Sequence, residues 1–192
     1  MKTTPADRRV RKTQALLRST LAELLQKKEL KNISVSELTG LADMNRGTFY
    51  LHYKDIYDLF EQIENEAIEE FTLIIARYKR QEPSSWGNIM LDLFKYIAAN
   101  GSTFRAILKT GESTFLTKIV EMNRPKTPEE WRGLFPGGKP EYYDYYFAFF
   151  TSGCVEMARA WFDKGMPESA EKMARLTQSM MENSIGHLGG MR

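Results

Sequence analysis

Arg46, Thr48, Tyr50, His52 and Lys54 fall within nine consecutive residues, and each carries a group suited to hydrogen bonding with a nucleic acid. A guanidinium fork such as that of Arg46 can pair with the O6 and N7 acceptors of guanine, and Thr48 offers a hydroxyl for base or phosphate and a methyl for thymine. Tyr50, His52 and Lys54 can donate to phosphate oxygens, contacts that set register and affinity without reading sequence. Between the two base readers, Gly47 removes a side chain where a helix backbone must come close to its partner. Ser34, Ser36 and Asn45, just upstream, complete the candidate set.

These residues act together only if two short helices hold them. Ser34 is placed to cap a helix starting at Val35, with Glu37 three residues on as in a capping box. Leu38, Leu41 and Ala42 then continue one apolar face. Asp43-Met44-Asn45 breaks the pattern, because Asp and Asn tolerate left-handed backbone and Asn45 is a good cap for the next helix. In that helix Phe49 and Tyr53 turn inward with Met44, leaving Arg46, Gly47, Thr48, Tyr50 and Leu51 outward. The spacing predicts a helix-turn-helix whose second helix enters a DNA major groove.

The segment resembles the DNA-binding domain of the TetR (tetracycline-repressor) family, whose pattern ends in Tyr-x-His/Tyr-aromatic-Lys. Here the matching residues are Tyr50, Leu51, His52, Tyr53 and Lys54. A preceding helix over Arg9 to Lys28 and a long fourth helix, capped by Asp55 and running through Ile56, Leu59, Phe60, Ile63, Ala67 and Phe71, agree with it. Tyr142 to Gly153, Trp161 and the turn Gly165 to Ser169 are similar to the C-terminal domain of the branch that includes a dihydroxyacetone kinase operon activator. Two positions depart from the pattern. Asp43 stands where many members have Gly, and Ile56 where many have Lys or Arg. The second removes a phosphate contact and shifts backbone binding toward Lys54 and the N-terminal end of the fourth helix. The resemblance implies a regulator, taken as a repressor, that binds a pseudo-palindromic double-stranded operator as a homodimer under effector control. A coactivator or interaction protein governed by a protein partner is the alternative.

Past Lys79 the pattern is helical throughout, so an all-α chain is expected: residues 1–55 as a three-helix DNA-binding domain with a basic arm over 1–8, and 56–192 as a helical effector and dimerisation domain. Ser84 or Ser85, Ser102, Ser113 and Ser169 read as helix starts. Residues 124–139 read as loop with one short helical turn around Trp131, and a long helix begins at Pro140. Trp86, Met90, Phe94, Phe104, Phe115 and Tyr146 are the candidates for lining an effector pocket for a small apolar ligand. Phe150, Gly153, Met157, Ala160, Trp161, Thr177 and Met181 are the candidates for a four-helix dimer seam.

Charge supports the division. Residues 1–60 hold 11 Lys/Arg against 7 Asp/Glu, and residues 61–192 hold 16 against 18. Lys2, Arg8, Arg9, Arg11, Lys12 and Arg18 are placed to track phosphates. Glu64, Glu66, Glu69 and Glu70 read as the solvated face of the fourth helix. No apolar run reaches the length of a membrane span and the first seven residues hold no secretory signal, so a cytoplasmic protein without membrane contact is expected. Cys154 is a lone cysteine in an apolar run. With only His52 and His187, no Glu-x-x-His pair, no glycine-rich phosphate loop and no Gly-x-Ser-x-Gly elbow, neither metal nor cofactor nor an enzymatic activity is expected.

Overall fold

The computed structural model describes residues 5–78, 86–111, 113–135 and 138–188, and among them every regular element is helical. The helices are α1 (Pro5–Leu25), α2 (Val35–Leu41), α3 (Arg46–Tyr50), α4 (Ile56–Tyr78), α5 (Trp86–Ala99), α6 (Gly101–Lys109), α7 (Phe115–Asn123), α8 (Pro128–Leu134), α9 (Tyr143–Asp163) and α10 (Ala170–Leu188). Ser84, Ser85 and the first four residues of the arm lie outside the described residues. The sequence reading divides the chain at 55/56. The compact units divide it instead inside α4, with residues 1–67 and 100–115 forming the first and 68–99 and 116–192 the second. The physical reason lies in α6, whose Phe104, Ala106 and Ile107 are buried as α6 packs on α1.

The first unit is built on α1, which buries Leu17, Leu21, Leu24 and Leu25, spaced at four, three and one, so that one face meets α2 and α6. Lys109, in the last turn of α6, donates to the Gln26 carbonyl at 2.9 Å and fixes that packing. Helix α2 starts as expected, with the Glu37 N–H donating to Ser34 Oγ at 3.2 Å. Glu37 itself is drawn to Lys28 Nζ at 2.6 Å. Helix α2 ends in a Schellman turn: Met44 N–H donates to the Thr39 carbonyl at 2.9 Å and Asp43 N–H to Gly40 at 3.3 Å, with Asp43 left-handed at φ 49°.

Leu41 departs from its expected inward place and is exposed. At about 100° per residue, Leu38, Ala42, Val35 and Thr39 occupy one sector, and Leu41 falls outside it despite its spacing of three from Leu38. The core fills with Leu38, Thr39 and Ala42 instead.

In the second unit α5 and α10 pack closely, with Gly87 against the Gln178 side chain. Phe94 sits edge-on to Trp161 at 5.6 Å. Residues 128–134 form a full helix, α8, rather than a single turn in a loop, because Thr127 accepts from the Glu130 N–H and Pro128 opens the first turn. A short 3-10 turn at Pro140–Tyr142 precedes α9. Trp131, Phe135, Tyr143 and Phe147 then stack into an aromatic cluster, with Trp131 parallel to Tyr143 at 5.5 Å. Helix α9 closes in a second Schellman turn: Met166 N–H donates to the Trp161 carbonyl and Gly165 N–H to Phe162, with Gly165 at φ 79°. Trp161 Nε1 donates across that turn to the Glu168 carbonyl at 3.1 Å, and Ser169 caps α10 through the Lys172 N–H.

Candidate nucleic-acid interface

Helix α3 has five residues, far below the length at which a helix is stable alone, so capping and burial must hold it. Asn45 Oδ1 accepts from the Gly47 N–H at 2.7 Å. Phe49 is fully buried, with its ring 5.6 Å from that of Tyr53, which is also buried. These two anchors turn the opposite face to solvent. Arg46, Gly47, Tyr50 (58% exposed), Leu51 (80%) and Lys54 are exposed, with Thr48 and His52 half-buried beside them. Ser36 on α2 is exposed, and its hydroxyl accepts from the Arg46 guanidinium, so the two helices share one polar surface. Ser34 is exposed, with its hydroxyl engaged as the α2 cap. Gly47 has a second reason to be small, since a Cβ there would stand 3.3 Å from the capping Asn45 Oδ1.

The phosphate-contacting periphery differs from the sequence reading in two places, at Arg18 and at the start of α4. Arg18 is ion-paired with Glu66 and lies beside Tyr53, where its guanidinium opposes the upward push that burial gives the Tyr53 phenol. It belongs to the packing of α1, while Arg8, Arg9 and Lys12 are exposed. Ile56 is a core residue, and the exposed side chain in the first turn of α4 is Tyr57. Its place follows from the Asp55 cap, which turns Ile56 inward and the next residue outward. The start of α4 is also less open to anions than expected. Asp58 N–H donates to Asp55 Oδ1 at 2.8 Å, and Asp58 Oδ2 accepts from the Lys54 N–H at 2.7 Å. That backbone hydrogen bond, helped by Gln62, holds the Asp58 carboxyl below its ordinary value.

The six residues read as a pocket lining are divided between the two units. Phe104 and Phe115 face each other edge-on at 5.6 Å in the first unit, where α6 and the start of α7 need core. Met90 and Phe94 are buried in the second unit, and Tyr146 packs on Phe135 in the aromatic cluster. The Trp86 side chain lies outside the described residues. A surface cleft of about 290 Å³ lies elsewhere, between Pro128, Trp131, Arg132, Pro140, Tyr143 and Asp144.

The dimer-seam set also divides. Trp161, Thr177 and Met181 are buried within the single chain, where Thr177 Oγ1 lies 3.0 Å from Met157 Sδ, and Phe150 stacks on Phe135 at 5.5 Å. These belong to the core-facing sides of α9 and α10. Gly153 and Ala160 are exposed, on a stripe of α9 that also carries Tyr145 (74%), Phe149 (70%) and Glu156. On α10, Leu176 and Met180 are exposed as well.

Among the described residues no three His, Cys, Asp or Glu side chains converge in a metal-holding group, and no helix is long and apolar enough to cross a membrane. Glu64, read from sequence as solvated, is buried at 3% exposure, because its carboxylate accepts hydrogen bonds from residues 113–115.

Comparison with known proteins gives this geometry a family. A TetR-type family model described as a transcriptional regulator C-terminal region matches residues 84–183. No curated protein matches the chain. Among solved structures, the chain is similar to the dihydroxyacetone kinase operon activator DhaS, with TM-score 0.55 and 18% identity over 91% of this chain and 96% of that one. It is also similar to a TetR transcriptional regulator from Streptococcus agalactiae, with TM-score 0.61 and 20% identity over 92% and 97%. A third is the fatty acid degradation regulator FadR from Bacillus halodurans, with TM-score 0.65 and 14% identity over 100% and 99%. At these identities the structures speak to the fold alone, an all-helical one, while the family model covers more than half of the chain. The chain belongs to the TetR family of transcriptional regulators.

Proposed function

We propose that this protein is a cytoplasmic, sequence-specific DNA-binding repressor that acts as a homodimer on a pseudo-palindromic operator, with its DNA affinity set by an effector. The observation that carries the reading is the outward face of α3. Arg46 is held by Ser36 above a capped, five-residue helix, with Thr48, Tyr50, His52 and Lys54 following around its exit. Arg46 and Thr48 read bases, while Tyr50, Lys54 and Tyr57 contact phosphates. Asn45 serves this surface as the cap of α3. The dimer forms through the exposed stripe of Tyr145, Phe149, Gly153 and Ala160 on α9 with Leu176 and Met180 on α10. A dimer carries two copies of α3, which suits a pseudo-palindromic operator with half-sites about one DNA turn apart. Similarity to an operon activator supports a second reading, an activator controlled by a partner protein.

The experiment is a gel-shift titration of the purified protein against the DNA upstream of its own gene, with scrambled DNA as competitor. Arg46→Ala should erase the preference for operator, since a bidentate guanine contact contributes about 1–3 kcal/mol of discrimination. Lys54→Ala should weaken both DNAs alike and lower the salt dependence by about one phosphate contact. Wild-type protein that binds operator and scrambled DNA equally refutes the reading. Reporter expression that rises when the gene is deleted supports the repressor, and expression that falls supports the activator.

A further inference from the structure

The two buried anchors of α3 fix which way its open face points. Phe49 and Tyr53 turn into the core, and at about 100° per residue Leu51, two positions from each, points about 160° away from both. Leu51 follows the last residue of α3 with helical backbone, φ −70° and ψ −20°, and its N–H donates to the Gly47 carbonyl at 3.2 Å. It therefore stands at the centre of the outward face, with Gly47 on one side and Thr48 on the other. Helical side chains lean over the preceding turn. One turn back from Leu51 is Gly47, which has no side chain to cover it. The consequence is an exposure of 80%, above that of Tyr145 and Phe149 on α9.

A single exposed leucine is ordinary on a protein surface, and its meaning here comes from its place. Arg46, Thr48, Tyr50 and Lys54 around it can all form hydrogen bonds. Leu51 offers a groove only apolar contact, and the apolar group that a base edge presents in the major groove is the C5 methyl of thymine. Adenine, guanine and cytosine present no methyl there.

We propose that Leu51 is a specificity-determining residue that reads the 5-methyl group of one thymine in each half-site of the operator. The proposal rests on the reading of α3 as the DNA reader. Arg46 supplies a hydrogen-bonded contact to guanine, and Leu51 adds a contact that recognises a methyl group and nothing else.

The test alters the DNA one methyl at a time. The probe is the shortest duplex from upstream of the gene that the full-length protein prefers over scrambled DNA. Each of its thymines is exchanged singly for deoxyuridine, which removes the methyl and keeps every hydrogen-bonding group. For wild type, one thymine per half-site should give a loss of about fourfold in affinity, the effect of burying one methyl carbon. Leu51→Ala should bind the thymine duplex more weakly and show no further loss when that same thymine is exchanged. Its salt dependence should match wild type, since no charge is removed. Thr48→Ser removes the other methyl on this face and should leave the loss in place. Sensitivity that disappears with Thr48→Ser and survives Leu51→Ala assigns the methyl to Thr48 and overturns the proposal. A Leu51→Ala protein that weakens thymine and deoxyuridine duplexes by the same factor at every position also overturns it, because a residue that merely supports α3 would behave that way. If Leu51→Ala melts below wild type, Leu51→Gln, of similar length, replaces it. Wild-type protein that prefers operator but has no deoxyuridine-sensitive thymine tied to Leu51 removes the methyl contact and leaves the DNA reading standing. Protein that prefers no upstream duplex removes both.

Discussion

Asn45 was one of the candidate DNA contacts, yet its side-chain oxygen is taken by the Gly47 N–H at 2.7 Å, so its replacement tests whether it reads DNA or builds the reader. Removing an Asn cap costs about 0.5–2 kcal/mol. The structure places this case at the low end. Gly47 is exposed, so water can satisfy its N–H, and Phe49 remains fully buried as the second anchor. A loss of about 0.5–1 kcal/mol raises the local opening constant of α3 by roughly two- to fivefold. Asn45→Ala should therefore speed exchange of the Gly47 and Thr48 amides by that factor in NMR exchange measurements, while buried amides of α1 such as Leu21 exchange as in wild type. Asn45→Ser and Asn45→Asp both restore an acceptor and should return exchange to the wild-type rate. Asn45→Ser should also keep operator affinity, whereas Asn45→Asp should lower it, because its charge faces phosphate. Equal exchange in wild type and Asn45→Ala, or a Ser variant that behaves like Ala, refutes the capping argument. A Ser variant with wild-type exchange but much weaker operator binding makes Asn45 a DNA contact.

Gly153→Glu places a charge where nothing lies within 4 Å of an added Cβ, so the monomer should keep its melting temperature while sedimentation shows loss of the dimer; an intact dimer puts the interface elsewhere. Burial pushes the Cys154 thiol up to about 11, so it should stay protonated and react with a thiol reagent at pH 8 only after denaturant is added. The Asp58 carboxyl titrates below its ordinary 3.8 in the folded chain, so its contribution is present above that value and is lost as pH falls through the folded-state pKa. Melting curves of wild type and Asp58→Asn should accordingly differ at pH 6 and draw together as the pH is taken below 3.8, with a constant difference counting against the Lys54 N–H contact.

The local features were legible in the residues themselves, since caps and turns depend on neighbours within a few positions. Ser34, Asn45, Asp55 and Ser169 cap the helices they were expected to cap, and Asp43 takes the left-handed turn. Phe49 and Tyr53 point inward because they lie one helical turn apart, which makes the outward face of α3 readable too. What the sequence could not reveal was which apolar face meets which. Phe104 and Phe94 follow the same helical pattern, yet the first packs with α1 and Phe115 and the second against Trp161. Periodicity marks a residue as buried without naming its partner, so the proposed pocket set draws on both units. The same limit hid the aromatic cluster that takes up Phe150 and Tyr146, and did not tell those two from the exposed Tyr145 and Phe149 on the same helix. Glu64 shows the limit most plainly: four neighbouring glutamates on one helix look alike in sequence, and only the return of residues 113–115 to α4 decides that one of them is buried and bonded. That contact spans about 50 residues of chain, and its partners are chosen by the packing of the fold rather than by any local preference.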